Sequence, residues 1–299
     1  MKRRFDHLLT ERSNPRTRRI DALPTLGVLR AMNREDRGIA EAVRRALPDI
    51  ARATDLIVER WRRGGRILFL GAGTSGRLGV LEAAECPPTF DTPPGRIRAV
   101  MAGGVRAIRR SKEGAEDDPA DGARQIRRLR PRREDVVVGI AASGSTPFVT
   151  GGLAEARRAG AGRILVTCNR DPKFARHADV VISILVGPEV VTGSTRLKAG
   201  TGTKLVLNML TTATMIRSGK VHGNLMVDLQ IRAAKLADRA RRIVKTLTGA
   251  GDAEAARLLR AAGGRARTAV LMKLAGLTRR RAERRLARAG GSLRKSLDN

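Results

Sequence analysis

Between residues 66 and 186, short apolar runs alternate with glycine-rich loops and stretches of helical spacing. The runs are Arg66 to Leu70, Ile97 to Met101, Asp135 to Ile140, Ile164 to Val166 and Val180 to Val186. Strands that alternate with helices are the signature of a parallel sheet covered on both faces, so the expectation is an α/β fold. Helical patterns flank this region. From Thr25 to Arg63 apolar residues recur at helical spacing through Leu26, Leu29, Met32, Ile39, Val43, Leu47, Ile50, Ile57 and Trp61. Pro48 falls at the start of a helix, where proline is tolerated, and Gly64-Gly65 closes the stretch. Gly200 to Gly219 reads as a long buried helix through Leu205, Leu207, Met209, Leu210 and Met215. In 252–299 helical patterns are broken at Gly263-Gly264, Gly276 and Gly290-Gly291, which suits a small three-helix bundle.

Composition narrows the function class. The 299 residues suffice for about two domains, or one large domain with an appendage, and 41% hydrophobic residues can fill a core. Sixty Lys and Arg against 29 Asp and Glu leave a formal charge of +31, which raises nucleic acid as a partner. Aromatic residues are only 2%, with no Tyr, so stacking platforms for single strands are scarce. The cluster Arg279, Arg280, Arg281, Arg284, Arg285 and Arg288 reads as a solvated face, and no specific nucleic-acid partner is expected. The remaining use of such charge is long-range attraction of anionic small molecules.

Cys86 and Cys168 are far apart and read as reduced cytosolic thiols. Three histidines with no CxxC or HExxH give a metal site little to be built from. The basic start MKRRFDHLLTERSNP lacks the apolar run of a signal peptide. The longest uncharged stretch, Val136 to Ala154, contains Gly144, Pro147 and several hydroxyls, so no membrane span is expected and the expected location is the cytoplasm.

The first apolar run leads into Gly71-Ala72-Gly73-Thr74-Ser75-Gly76 at the opening of a helix, a GxGxxG form in the right context. A dinucleotide site would add an acid about 20 residues on, at the end of the second strand. That strand ends in Ala102-Gly103-Gly104 instead. The loop carries paired hydroxyls, Thr74 and Ser75, and Ser143-Gly144-Ser145-Thr146 repeats the arrangement after a later strand. Hydroxyls with free backbone N–H groups at a helix N-terminus suit a compact phosphate monoester. Two such loops at the carboxyl ends of parallel strands would face one crevice, which favours a phosphosugar over a dinucleotide. Helix capping explains one such loop more readily than two.

Several long strings carry a family resemblance. They are GAGTSGRLGVLEAAECPPTF (Gly71 to Phe90), EGAEDD (Glu113 to Asp118), DVVVGIAASGSTPFV (Asp135 to Val149), VGPEVVTGSTRLKAGT (Val186 to Thr201), KLVLNM (Lys204 to Met209) and GKVHGNLMVD (Gly219 to Asp228). With the opening segment from Leu9 to Pro15, they closely resemble the N-acetylmuramic acid 6-phosphate etherases, and the likeness runs to the C-terminus. That family belongs to the sugar isomerase (SIS) class of phosphosugar-binding folds, in which the glucokinase regulatory protein is a larger relative. The resemblance implies a parallel-sheet, three-layer SIS sandwich with N-terminal helices and a small C-terminal helical bundle. The expected division is a helical segment at 1–56, the phosphosugar-binding domain at 57–220, a connecting helix at 221–250 and the bundle at 251–299.

The resemblance further implies cleavage of the D-lactyl ether of N-acetylmuramic acid 6-phosphate to N-acetylglucosamine 6-phosphate and D-lactate, in recycling of cell-wall amino sugars. It implies a homodimer and no metal or organic cofactor. In the ring-opened sugar the C2 proton lies next to an aldehyde and is acidic, so elimination of lactate followed by addition of water needs two positioned proton-transfer groups. By resemblance these are Glu85, which protonates the leaving lactate, and Glu116, which acts on the C2 proton. Glu85 stands directly before Cys86-Pro87-Pro88, which are expected to stop its helix beside the crevice. Around Glu116 stand Glu113, Asp117 and Asp118, and such a cluster can raise the pKa of one member.

Phosphate and sugar contacts carried over are Gly73, Thr74, Ser75, Gly76, Ser143, Ser145 and Thr146, with Glu113, Thr195 and Arg196 beside them and Lys198 as a further anion contact. Ser145 stands where the family pattern has arginine, and Val105 where it has an acid, so a bidentate charged contact is lost at Ser145. His222 and Cys86 are expected to pack rather than react. A non-catalytic phosphosugar sensor, like the regulatory relative, is the alternative function.

Overall fold

The five apolar runs form one parallel sheet in the computed structural model, which describes residues 7–171, 176–229, 231 and 234–298. The strands are β1 (Ile67–Gly71), β2 (Ile97–Met101), β3 (Val136–Ile140), β4 (Gly162–Thr167) and β5 (Val180–Ser183), in the order β2-β1-β3-β4-β5. Every neighbouring pair is parallel. Residues of β1 and β3 are buried throughout, as strands covered on both faces must be. The last run closes at Ser183 rather than Val186. Met1 to Arg4, the basic start of the chain, lie outside the described residues.

The described residues divide into two compact units, 1–84 with 95–211 and 85–94 with 212–299. In the first, 3-10 turns at Leu9–Glu11, Pro15–Thr17 and Ile20–Ala22 lead into α1 (Thr25–Asp36), α2 (Gly38–Arg45) and α3 (Leu47–Arg62). Pro48 sits in the first turn of α3, where its missing N–H would have no partner in any case. The helical spacing holds for α2 and α3, which bury Ile39, Val43, Ile50, Ile57 and Trp61. It fails for α1, whose Leu26 and Leu29 are 57% and 55% exposed; its one buried residue is Glu35. Periodicity marks an apolar face but does not supply the surface that covers it.

Helix α4 (Gly73–Phe90) follows β1, the short α5 (Arg106–Arg109) follows β2, α6 (Pro119–Arg128) leads to β3, and α7 (Pro147–Arg158) joins β3 to β4. One sheet face packs Leu68, Leu70, Val137 and Leu165 against Ile126 of α6 and Phe148, Val149 and Leu153 of α7. Helices α6 and α7 approach closely because Gly122 has no side chain; a Cβ there would fall against the Phe148 carbonyl. The expectation that Pro87 and Pro88 stop α4 is not met, since the helix continues through both to Phe90. Their fixed φ is itself helical, and only N–H groups and a clash with the preceding turn are at issue. The Thr89 hydroxyl donates to the Glu85 carbonyl at 2.8 Å, and the turn comes at Asp91, with φ +48°.

The long helix expected at Gly200 runs as α8 (Lys198–Arg217), with Leu207, Leu210 and Met215 buried but Met209 37% exposed. The second unit holds a small antiparallel pair, β6 (Val221–His222) and β7 (Leu225–Met226). It continues with α9 (Ala234–Thr248), α10 (Asp252–Ala261), α11 (Ala266–Ala275), α12 (Arg279–Arg288) and α13 (Leu293–Leu297). One core joins Ile243 and Val244 of α9 to Leu259, Val270, Leu271, Leu286 and Leu293. The glycine breaks lie where expected, but Gly290-Gly291 is followed by a fourth short helix, capped by the Ser292 hydroxyl on the Lys295 N–H. Among the described residues no helix is long and apolar enough to cross a membrane.

Candidate active site

From β1 the chain moves outward to β2, then returns past β1 to β3, so connections leave β1 and β3 in opposite directions at their carboxyl ends. In open α/β sheets this opens a crevice for ligands. A cavity of about 360 Å³ lies there, lined by Gly73, Thr74, Ser75, Ser143, Ser145, Thr146, Thr195 and Glu116 among others. Both glycine loops therefore reach it. Gly73 (φ +53°) opens α4 and Gly144 (φ +80°) turns the second loop toward α7, in a backbone region that side chains disfavour. The Ser143 hydroxyl accepts from the Ser145 N–H at 3.3 Å and lies 3.5 Å from that of Thr146. The N-termini of α4 and α7 thus open on one cavity, with first-turn N–H groups that lack helical acceptors.

The other expected contacts fall differently. Gly76 is buried and lines no described cavity; a Cβ there would meet the Gly71 carbonyl and Met101 at 2.7 Å, so its bareness lets α4 pack on the sheet. Glu113 lines a smaller adjoining cavity of about 160 Å³, and Glu116 lines both. Arg196 is exposed and lines neither. Glu85 is exposed on α4, within the second unit, and is not among the lining residues. The role expected of Lys198 as an anion contact is corrected: it is 1% exposed, and its ammonium donates to Glu35 at 2.9 Å.

Glu116 is the electrostatically distinctive member. It is exposed at the rim, yet desolvation by its surroundings, then the negative charges of Asp117 and Glu113, hold its carboxyl above the ordinary carboxylate range. The acidic cluster thus acts in the expected direction, but desolvation is the larger cause.

The N-terminal segment forms a wall that motif reading missed, since Leu8 and Glu11 line the larger cavity. Its fixation is polar. Asn169, beyond β4, accepts from the Leu9 N–H at 2.6 Å and donates to Thr10 and to the Ala142 carbonyl. Asn14 donates to Glu35 at 2.8 Å, and Thr17 to the Val190 carbonyl at 2.8 Å. Glu11 sits inside a string quoted for its likeness, but nothing in its local pattern marks it as facing a site 130 residues away along the chain.

The remaining reactive groups are not at the cavities. Both cysteines are buried and outside disulfides, and burial pushes the Cys168 thiol up to about 12. His222 lies on β6, where burial lowers its pKa. Among the described residues no group of three or more His, Cys, Asp or Glu side chains is placed to hold a metal ion.

The glucokinase regulatory protein N-terminal SIS domain family matches residues 49–157, and the SIS domain family matches residues 122–213. The chain is 51% identical to the N-acetylmuramic acid 6-phosphate etherase of Mycolicibacterium smegmatis, over 97% of each chain. It is 50% identical to that of Brucella anthropi, over 98% of this chain and 96% of the relative. Among solved structures, a phosphoheptose isomerase from Francisella tularensis superposes with a TM-score of 0.53 at 18% identity, covering 65% of this chain and 100% of that one. The sheet is therefore of the SIS type.

Proposed function

Because the chain belongs to the N-acetylmuramic acid 6-phosphate etherase family, whose members are carbon–oxygen lyases, we propose that it cleaves the D-lactyl ether of N-acetylmuramic acid 6-phosphate by elimination and rehydration. The observation that carries this reading is the meeting, in one cavity, of two hydroxyl-bearing helix N-termini with a carboxyl that holds its proton unusually tightly. The phosphate is held by Thr74, Ser75, Ser143, Ser145 and Thr146 with first-turn N–H groups of α4 and α7. In the ring-opened sugar Glu116, as carboxylate, takes the C2 proton. The C3–O bond breaks, and the departing oxygen receives a proton to give D-lactate and an unsaturated aldehyde. Water then adds its hydroxyl at C3 and a proton returns to C2, so the net change is consumption of one water. Glu85 is assigned the leaving-group proton on the family motif alone. No resident metal or organic cofactor enters this scheme.

The same reading makes the protein a cytoplasmic homodimer that recycles cell-wall amino sugars. The uncovered Leu26 and Leu29 of α1 are in keeping with a partner subunit.

The test is incubation with N-acetylmuramic acid 6-phosphate in ¹⁸O-water. D-lactate should be released unlabelled while label enters the sugar at C3; label in the lactate refutes elimination. Substrate bound without lactate release would indicate a phosphosugar sensor instead.

A pH profile provides a second check. Asp117→Asn removes one of the charges that raise the Glu116 pKa. The Glu116-dependent limb of kcat/KM should therefore move to lower pH, whether its acid or base form is active, because a weaker negative field releases the proton earlier. An unmoved limb would separate Glu116 from the titration that controls turnover.

A further inference from the structure

The smaller cavity beside Glu116 has no role in the scheme so far. It opens at the carboxyl ends of β1 and β2 and shares Ala72, Gly73 and Glu116 with the larger one, so the β1 loop and Glu116 stand between the two. Where the larger cavity is walled by hydroxyls and helix N-termini, this one is lined by two cationic side chains, Arg77 and Lys112, with the acids Glu113 and Glu116 on its wall as well. Arg77 is held in place: its Nε and Nη2 donate to the carbonyls of Ile108 and Ala107, each at 2.9 Å. Lys112 is also seated. Its stem lies over Gly103 (φ +79°), where an added Cβ would meet Lys112 Cβ at 3.2 Å and Cδ at 3.3 Å. Lys112 is exposed at the cavity, and among the described residues no carboxylate lies within ion-pair distance of its ammonium.

We propose that this cavity is a subsite for the carboxylate of the leaving group, with Lys112 as its charge partner and Arg77 as a fixed donor at its wall. The proposal rests on the etherase reading. The substrate of that reaction has two anionic ends, a phosphate on the sugar and a carboxylate on the lactyl arm. Two adjoining cavities with different anion chemistry match them. With the sugar in the larger cavity and the lactyl arm in the smaller, the C2 and C3 atoms pass beside Glu116, the carboxyl that borders both.

The test is Lys112→Met, which keeps the apolar stem and deletes the charge, with Lys112→Arg as the charge-retaining control. For N-acetylmuramic acid 6-phosphate, kcat/KM of Lys112→Met should fall by about tenfold or more, as expected for loss of a hydrogen bond between charged groups. Inhibition by N-acetylglucosamine 6-phosphate, which lacks the lactyl arm, should stay within about twofold of wild type. Lys112→Arg should recover most of the activity. Equal weakening of substrate and inhibitor would place the phosphate, not the lactyl carboxylate, at Lys112 and overturn the proposal. Unchanged kinetics would make Lys112 a solvated side chain and overturn it as well. Failure of the etherase reading is distinct from both, because wild-type protein would then release no lactate.

Discussion

Glu116→Gln is expected to reduce D-lactate release by about 10²–10⁴-fold, the usual worth of a positioned proton-transfer group. The substitution preserves shape and hydrogen-bonding capacity but cannot accept a proton from C2. Glu116 borders the cavity, makes no ion pair among the described residues, and lies on a short 3-10 turn at Ala115–Asp117, so its loss should not disturb the sheet or the helices that pack on it. Removing a carboxyl held above its ordinary pKa by desolvation and by Asp117 and Glu113 should leave stability unchanged or slightly improved at neutral pH. The sign follows from linkage: a raised carboxyl pKa means that folding is disfavoured as pH rises through that pKa. Binding of N-acetylglucosamine 6-phosphate should persist, which separates chemistry from pocket integrity. Glu85→Gln is the companion measurement, and a comparable loss of turnover is expected there. Turnover at the wild-type rate in Glu116→Gln would refute the mechanism.

The largest expected effect on stability comes from Glu35→Gln. Glu35 is 6% exposed and accepts from Arg16 at 2.5 and 2.9 Å, from Asn14 at 2.8 Å and from the buried Lys198 ammonium at 2.9 Å. These partners, Arg16 foremost, lower its carboxyl from 4.5 to about 2. By linkage that shift contributes about 3 kcal/mol, fully present above pH 4.5 and lost as pH falls toward 2. The neutral amide leaves the Lys198 ammonium without its counter-charge, a change that typically costs about 3–5 kcal/mol. For a unit of this size the melting temperature should drop by roughly 10 °C at pH 7. The gap between variant and wild type should narrow as pH approaches 2. The double variant Glu35→Gln with Lys198→Met should recover part of the loss, since it also removes the stranded cation. Coincident melting curves for wild type and Glu35→Gln at pH 7 would show that the buried cluster contributes nothing. Glu35 also ties the N-terminal segment to α8, so Leu8 and Glu11 should leave the cavity wall when it is lost, and KM should rise with instability.

The alternation of strands and helices was legible because each apolar run is short, continuous and bounded by glycine loops, which leaves a covered parallel sheet as the economical way to bury it. All five runs became strands. The hydroxyl loops were legible for a related reason: Thr74, Ser75, Ser143 and Thr146 sit at strand-to-helix turns, and their position in the chain predicts their end of the sheet. Helical spacing was less informative where burial depends on a neighbour, as Leu26 and Leu29 show on α1. Pro87 and Pro88 misled in a different way, because proline forbids a helical N–H bond but not helical φ.

The sequence alone determined the sheet, the two hydroxyl-bearing glycine loops and the acidic cluster around Glu116, since all depend on spacing within a few residues. Tertiary structure alone decided what lies across from them. Lys198 lies within a family string that suggests an anion contact, yet it turns inward because Glu35, 163 residues earlier, offers it a buried carboxylate. Glu11 enters the cavity wall because Asn169 and Glu35 hold its segment there. Lys112 becomes a candidate partner for a leaving group because Gly103 leaves room for its stem beside the β1 loop. Local pattern follows from the periodicity of the backbone, whereas the pairing of charges across a cavity depends on long-range packing that no short window of residues contains.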